Sequence, residues 1–420
     1  MAARSMRRRA LGAAAALLAV GLVAAGCAAD GPRDIELPPQ AEAALPDDVT
    51  TQLDEAVRSA MAATASTGAI AGVWSPWSGS WVSAIGTDAA GTALSPEMTF
   101  RAGDVTRMMT CDVLYGMVDD GIVDLDDSIV DYVQGVPSLE AVTLLDLCNG
   151  TAGIGAYQPV VGASWITNPD RMWHPLELAS FGIGQPRSAV GTEYRDSDSS
   201  YILLGLALER ASGEDAADLY DRYVFTPLGL RDTTLPGPRA ALPGTNPLHG
   251  YRILSNPDGS LACDAPLDIS TLSSSVGFTD SGVVSTVTDL GRYVQATAVG
   301  ALTSESADGR WSTPLPVFAG APAWFTATGG ALQAGSLIGQ YGGMPGYLTA
   351  AFADPETGMT VVVVLNNSTA SAQVIGDLAF ELAAIASKAP AASGATAPEF
   401  GLPWTAQQYH DSINQTNICR

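Results

Sequence analysis

Strand-like and helix-like runs of apolar residues follow one another in three blocks along the chain. Residues 47–64 carry a helical pattern, with Asp47 and Asp48 near its start. GAIAGVWSP (68–76) and GSWVSAIG (79–86) read as paired strands around a turn of Pro, Ser and Gly. Trp74, Trp77 and Trp81 alternate across that hairpin and suit sheet packing. Residues 104–120 are helical and stop at Gly121, and 143–148 form a short helix behind Thr143. A further helix over 199–212 closes at Gly213, and 214–225 follow until Pro227 breaks the pattern. Residues 236–281, rich in Pro, Gly and Ser, read mostly as loop. Thr286 to Ala298 is helical again. AWFTATGGA (323–331), LTAAFAD (348–354) and MTVVVVLNN (359–367) are strands, the last two joined by the turn Pro355-Glu356-Thr357-Gly358. Residues 370–388 form a closing helix, 389–403 are Ala/Pro/Ser low complexity and 404–420 a polar tail. Strands at both ends with a helical insertion between them imply an α+β fold whose sheet draws on both halves of the chain.

The first 26 residues are an address. Arg4, Arg7, Arg8 and Arg9 precede the apolar run of residues 10–25, which falls short of the ~20 residues of a membrane span and fits a signal-peptide core. Val23-Ala24-Ala25-Gly26-Cys27 resembles the lipobox of bacterial lipoproteins, with Ala24 where Leu is usual. That resemblance implies cleavage after residue 26 and lipidation of Cys27, which would hold the protein on the outer face of the cell membrane. An ordinary secretory signal cut nearby is the other reading. Residues 27–46, with Pro32, Pro38, Pro39 and Pro46, read as a tether.

Composition narrows the picture. A chain of 420 residues, 47% hydrophobic and with eight Trp, is globular and fits one large domain or two ordinary ones. Acids outnumber bases 44 to 20, for a net charge of −24, and this excludes nucleic acid as a partner. Cys111, Cys148, Cys263 and Cys419 remain after Cys27 with no C-x-x-C spacing, so no zinc site is expected and two disulfides in any of three pairings are open.

Five segments stand in a telling order: TFRAGDVTRMMTCDVLYGMVDDGIVDLDDSIVDYV (99–133), VTLLDLCNGTAGI (142–154), TEYRDSDSSYILLGLALERASG (192–213), GVVSTVTDLGRYVQA (282–296) and GQYGGMPGYLTAAFADPETGMTVVVVLNN (339–367). In order and spacing they resemble the serine β-lactamases of class C, the DD-peptidases and related penicillin-binding-protein-like esterases. The resemblance covers roughly 47–388. It implies an antiparallel sheet flanked by helices (47–102 and 282–388) plus a helical subdomain (103–281).

The resemblance also locates the family's chemistry, and there the chain departs from it. The nucleophilic Ser of S-x-x-K falls at Asp104 and its Lys at Arg107. The Tyr and Asn of Y-x-N fall at Asp196 and Asp198. The basic residue of the third motif falls at Gln340, in Gln340-Tyr341-Gly342, and only Gly342 matches. A nucleophile needs a base beside it, and Arg stays protonated at neutral pH. The single Lys, Lys388, lies in the closing helix, far from this motif in the family layout. Asp104 after Gly103 reads as a helix N-cap, with a carboxylate nucleophile as the rarer alternative. Arg107, three residues on, can pair with it, and the family fold would add Asp196 and Asp198. A salt-bridge plug, a cation site made by the three acids, and a small polar pocket are the readings that follow. Ser197, Ser199 and Ser200 show no base beside them. His249 reads as structural or surface and His174 as a helix-start residue. Gly342, Gly343, Pro345 and Gly346 keep a backbone that an oxyanion pocket would use. The resemblance further implies a Cys111–Cys148 disulfide: Cys111 falls where the family is small or apolar, and Cys148 where it usually has Leu, on a helix packed nearby. Two inert buried thiols are the other reading.

The expectation is therefore a lipid-anchored β-lactamase-like pseudoenzyme, without cofactor or metal, that binds an unidentified small molecule or cell-envelope partner. An envelope hydrolase using Asp104 or a serine near 197–200, and a purely structural lipoprotein, are its rivals.

Overall fold

The structure, a computed structural model, describes residues 35, 37, 39–41, 43–88, 91–302, 309–399 and 401–419. The signal segment 1–26 and Cys27 lie outside the described residues. Helices are numbered α1 (Asp47–Thr64), α2 (Val105–Asp119), α3 (Leu144–Asn149), α4 (Gln158–Thr167), α5 (Pro175–Ile183), α6 (Asp198–Ser212), α7 (Phe278–Ser281), α8 (Val287–Ala298), α9 (Gln373–Ala386) and α10 (Ala406–Gln415). Strands are β1 (Gly68–Ser75), β2 (Gly79–Gly86), β3 (Phe100–Arg101), β4 (Val284–Ser285), β5 (Leu315–Pro316), β6 (Phe325–Thr328), β7 (Ala331–Ala334), β8 (Leu337–Met344), β9 (Tyr347–Ala353) and β10 (Thr360–Leu365).

Eight of these strands make one antiparallel sheet in the order β2-β1-β10-β9-β8-β7-β6-β5. The N-terminal hairpin joins the C-terminal strands through β1 and β10, with Ala69 opposite Leu365 and Trp74 opposite Thr360. This is why strand signals sit at both ends of the sequence. All six residues of β10 are buried. Val361, Val363 and Leu365 face a core shared with α1, α9 and α10, while Val362 and Val364 face the core of the helical part. A run of valines buried on both faces of a sheet stabilises it strongly, at about 1.5–3 kcal/mol for each side chain.

The sequence-based outline needs four changes. Residues 323–331 are not one strand but β6 and the start of β7, because Gly329 and Gly330 turn the chain at φ of 60° and 79°. Only glycine takes that conformation without strain. Residues 158–167 and 175–183 are helices that no clear apolar stripe announced. The polar tail holds α10, and Trp404, Tyr409 and Ile413 are buried against α1 and α9. The tether is docked in part: Leu45 N donates to Ser80 O (3.0 Å), Ser80 N donates to Ala43 O (2.8 Å), and Leu45 is buried. This segment runs beside the edge strand β2.

Two disulfides brace the structure. Cys111–Cys148 joins α2 to α3, with Cα atoms 5.6 Å apart, and Cys263–Cys419 ties the loop region to the C-terminal segment at 5.8 Å. The loop region 236–281 has little regular structure and is held from inside by Arg101 of β3. That buried guanidinium donates to the carbonyls of Ala241 and Leu272 (3.0 Å each) and to Ser274 Oγ (3.1 Å).

Candidate functional site

The site lies where the start of α2, the start of α6, the short helix α7 and strand β8 meet. Gly103, at φ 57°, turns the chain out of β3 and into α2. Asp104 follows with φ −65° and ψ −8°, already helical, and its side chain accepts no capping hydrogen bond. The N-cap role expected for Asp104 is thus wrong. A residue with helical backbone angles does not aim its carboxylate back at the first amides. The carboxylate turns to Arg107 instead, with Oδ2 3.4 Å from Nη2.

Arg107 is held by three carboxylates and a ring. Nη1 donates to Asp196 Oδ1 at 2.6 Å, Nε donates to Asp280 Oδ1 at 2.8 Å, and the guanidinium lies 5.0 Å from the centre of the Tyr201 ring. The Arg107 side chain is 5% exposed, whereas that of Asp196 is 70% exposed. The plug therefore has one wet carboxylate and an otherwise dry interior. Burial works against the Arg107 charge, yet the carboxylates of Asp104, Asp280 and Asp196 prevail and hold its pKa well above the usual arginine value. It cannot serve as a base.

Asp280 was not among the residues singled out from the sequence. It is the one acid between Asp268 and Asp289, set among small and apolar residues. A carboxylate in that setting needs a buried cation, and this is the signal that could have found it. Asp198, by contrast, does not pair with Arg107 as expected. It accepts from Tyr157 N (2.6 Å) and Gln158 N (2.8 Å), at the N-terminus of α4. Burial and the charge of Asp280 push its pKa up to about 7 against the pull of those two amides. Burial likewise raises Asp104 and Asp280, although Arg107 opposes it in both. The neighbouring carboxylates add to burial in opposing ionisation of Asp104 and Asp198.

The remaining motif positions are also turned away from chemistry. Gln340 is buried, donates from Nε2 to Gly330 O (3.2 Å), and accepts from Tyr341 N (3.0 Å). Its amide therefore supports the β6–β7 turn. Gly342 packs on Asp104 so tightly that a Cβ placed there would stand 2.1 Å from Asp104 Cγ. Ser197 caps α6, accepting from Ser200 N (3.3 Å) while donating to Gly155 O (3.0 Å). Ser199 Oγ has only Asp198 Oδ1, at 3.4 Å. His174 Nδ1 accepts from Leu176 N at the start of α5, and His249 pairs with Asp268; neither belongs to the Arg107 cluster. The three-acid cation site does not form, since Arg107 takes Asp104 and Asp196 and amides take Asp198. Among the described residues no group of three or more His, Cys, Asp or Glu is arranged to hold a metal.

Comparison with known proteins places this arrangement. The family model described as Beta-lactamase matches residues 53–384. The D-alanyl-D-alanine-carboxypeptidase/endopeptidase AmpH of Escherichia coli K12 is 27% identical over 205 residues, 46% of this chain and 48% of that protein. The chain thus spans about half the length of that curated relative. Among solved structures, a D-stereospecific amidohydrolase from Streptomyces sp. superposes with a TM-score of 0.67 at 24% identity, covering 80% of this chain and 99% of the other. The D-amino acid amidase of Ochrobactrum anthropi SV3 gives 0.67 at 20% identity, with the same coverage. At these identities the superpositions speak for the fold.

Proposed function

This chain belongs to the β-lactamase family, and from that premise we propose that it is an exported, lipid-anchored member that binds a cell-envelope ligand or partner without turning it over. One observation carries the reading: the Arg107 guanidinium is shared by Asp104, Asp196 and Asp280. The position that would supply a base is a locked cation, and the position that would attack is a carboxyl group in its ion-pair network. Nucleophile and base are missing together, and losses within one catalytic unit cannot be made good singly.

The anchor reading rests on the basic start, the apolar run and Cys27. No helix among the described residues is long and apolar enough to cross a membrane. The relatives set the chemical class of ligand to try first, namely peptides ending in D-alanyl-D-alanine and D-amino acid amides. Intact-protein mass spectrometry after incubation with a penicillin-type β-lactam and an activated ester tests the absence of turnover. The expected outcome is an unmodified mass. A stoichiometric adduct on any residue near Arg107 would sink the reading and promote the hydrolase. Stabilisation against heat by one of the D-peptides would separate a binder from a purely structural lipoprotein.

A further inference from the structure

A second site lies apart from the Arg107 cluster and shares no residue with it. A cavity of about 130 Å³ opens between the end of β2 and the loop region, lined by Asp88, Leu94, Met98, Leu248, His249 and Tyr251 among others. We infer that this cavity is a binding site for a small organic amine with a ring-sized apolar body. Three features of its walls define that ligand.

The first is the orientation of His249. Its Nδ1 lies 2.8 Å from Asp268 Oδ2. Asp268 is itself fixed, with Oδ1 accepting from Ser270 N (2.9 Å) and from Ser270 Oγ. Burial works to raise the Asp268 pKa, but the hydrogen bonds from Ser270 and His249 hold it below the usual carboxylate value. An ionised carboxylate only accepts, so Nδ1 carries the proton, and in the neutral ring Nε2 is left as an acceptor. Neither His249 Nε2 nor the Tyr251 hydroxyl has a hydrogen-bond partner among the described residues. Both residues line the cavity, and with the ring neutral they would offer an acceptor and a hydroxyl to a ligand group that donates.

The second feature is the field. None of the lining residues is Lys or Arg. Asp88 lines the cavity and Asp268 stands 2.8 Å from the lining His249, which places both carboxylates within electrostatic reach of the cavity wall. An ammonium group suits that wall and a carboxylate does not. The third feature is size and floor. Leu94, Met98 and Leu248 supply apolar surface, and a volume of this order matches an apolar cavity of ~150 Å³ that takes up benzene.

Benzylamine, benzoate and toluene test this on the full chain by saturation-transfer NMR and calorimetry. The expected result is saturable benzylamine binding that Tyr251→Phe and His249→Leu each weaken by about fivefold, the worth of one hydrogen bond. Leu94→Trp should fill the cavity and abolish binding, with circular dichroism and thermal melts checking that each variant is folded. Should Leu94→Trp not fold, the two polar variants still decide. Absence of binding at about 10 mM benzylamine, a Kd weaker than any site of this kind would give, would overturn the inference. So would equal binding of benzoate, or binding indifferent to both polar variants. None of these outcomes bears on acylation at residue 104, so the two readings fail separately.

Discussion

Arg107 Nε and Asp280 Oδ1 stand 2.8 Å apart, with side-chain exposures of 5% and 4%. A dry pair of this kind is hard to break from one side, because the partner left behind keeps its charge without compensation. Arg107→Met should therefore destabilise the protein by about 3–5 kcal/mol at pH 7.5. The loss should shrink at pH 5, where the stranded carboxylates take up protons. Urea denaturation at both pH values measures it, and equal losses at the two would contradict the account of the cluster.

Asp198 makes a prediction of opposite sign to that of an ordinary surface acid. Its pKa rises from 3.8 in the reference state to about 7 in the fold, burial being the main cause. Folding thus takes up a proton. The stability this group contributes is complete below pH ~4 and is lost as pH rises toward 7, by an amount on the order of 4 kcal/mol at most. Asp198→Asn should flatten the stability profile between pH 4 and 7. A variant with the slope of the natural protein would show that Asp198 titrates normally.

Restoring the two motif residues should not restore chemistry. In Asp104→Ser/Arg107→Lys the new Lys would still face Asp196 and Asp280, which would hold it protonated. Position 196 would still lack a phenol. We expect no acyl adduct with a penicillin-type β-lactam by mass spectrometry, and a covalent adduct on Ser at 104 would refute this.

The C-terminal segment is part of the core. Trp404 is 6% exposed, and its Nε1 donates to Phe380 O at 2.9 Å. Trp404→Ala should cost about 3–5 kcal/mol, read as a lowered Tm. Truncation before residue 404 should cost at least as much, since it also removes Tyr409, Ile413 and the Cys263–Cys419 bond.

For the anchor, Cys27→Ser should move the protein from the membrane fraction to the soluble fraction. Unchanged fractionation would remove the lipobox reading.

How much of this was legible in the sequence depended on whether a signal was local. Thr143 announced its helix because the capping box is complete within four residues, with Asp146 N donating to Thr143 Oγ1 at 3.1 Å. The valines of β10 announced a buried strand by residue type alone. Helix α10 was hidden because only Tyr409 and Ile413 of its residues are buried, leaving the rest polar. The motif comparison located Asp104, Arg107 and Asp196, and the structure brings those three together. It missed Asp280 because that residue belongs to no motif and reaches Arg107 only through the packing of α7. It misjudged Asp198 because the amides that claim it open α4, a helix without a clear apolar stripe.

The borders of the sheet bear on how this protein can be recognised. Ser80, near one end of β2, is paired with Ala43 and Leu45, and Gly86, at the other, accepts from Leu94 N at 3.3 Å. The opposite border, β5, is two residues long and ends in Pro316, which has no amide hydrogen to offer. An extended peptide seeking to add itself as a further strand would find only a short stretch of free ladder on either side. Among the described residues, strand addition, the mode by which many sheets capture partners or stack into fibres, finds little free edge on this sheet. Under the proposed lipid anchor, a molecule held at high local density on a membrane would gain from that denial. Neighbours can crowd together without zipping, and a partner must be met by loops and side chains.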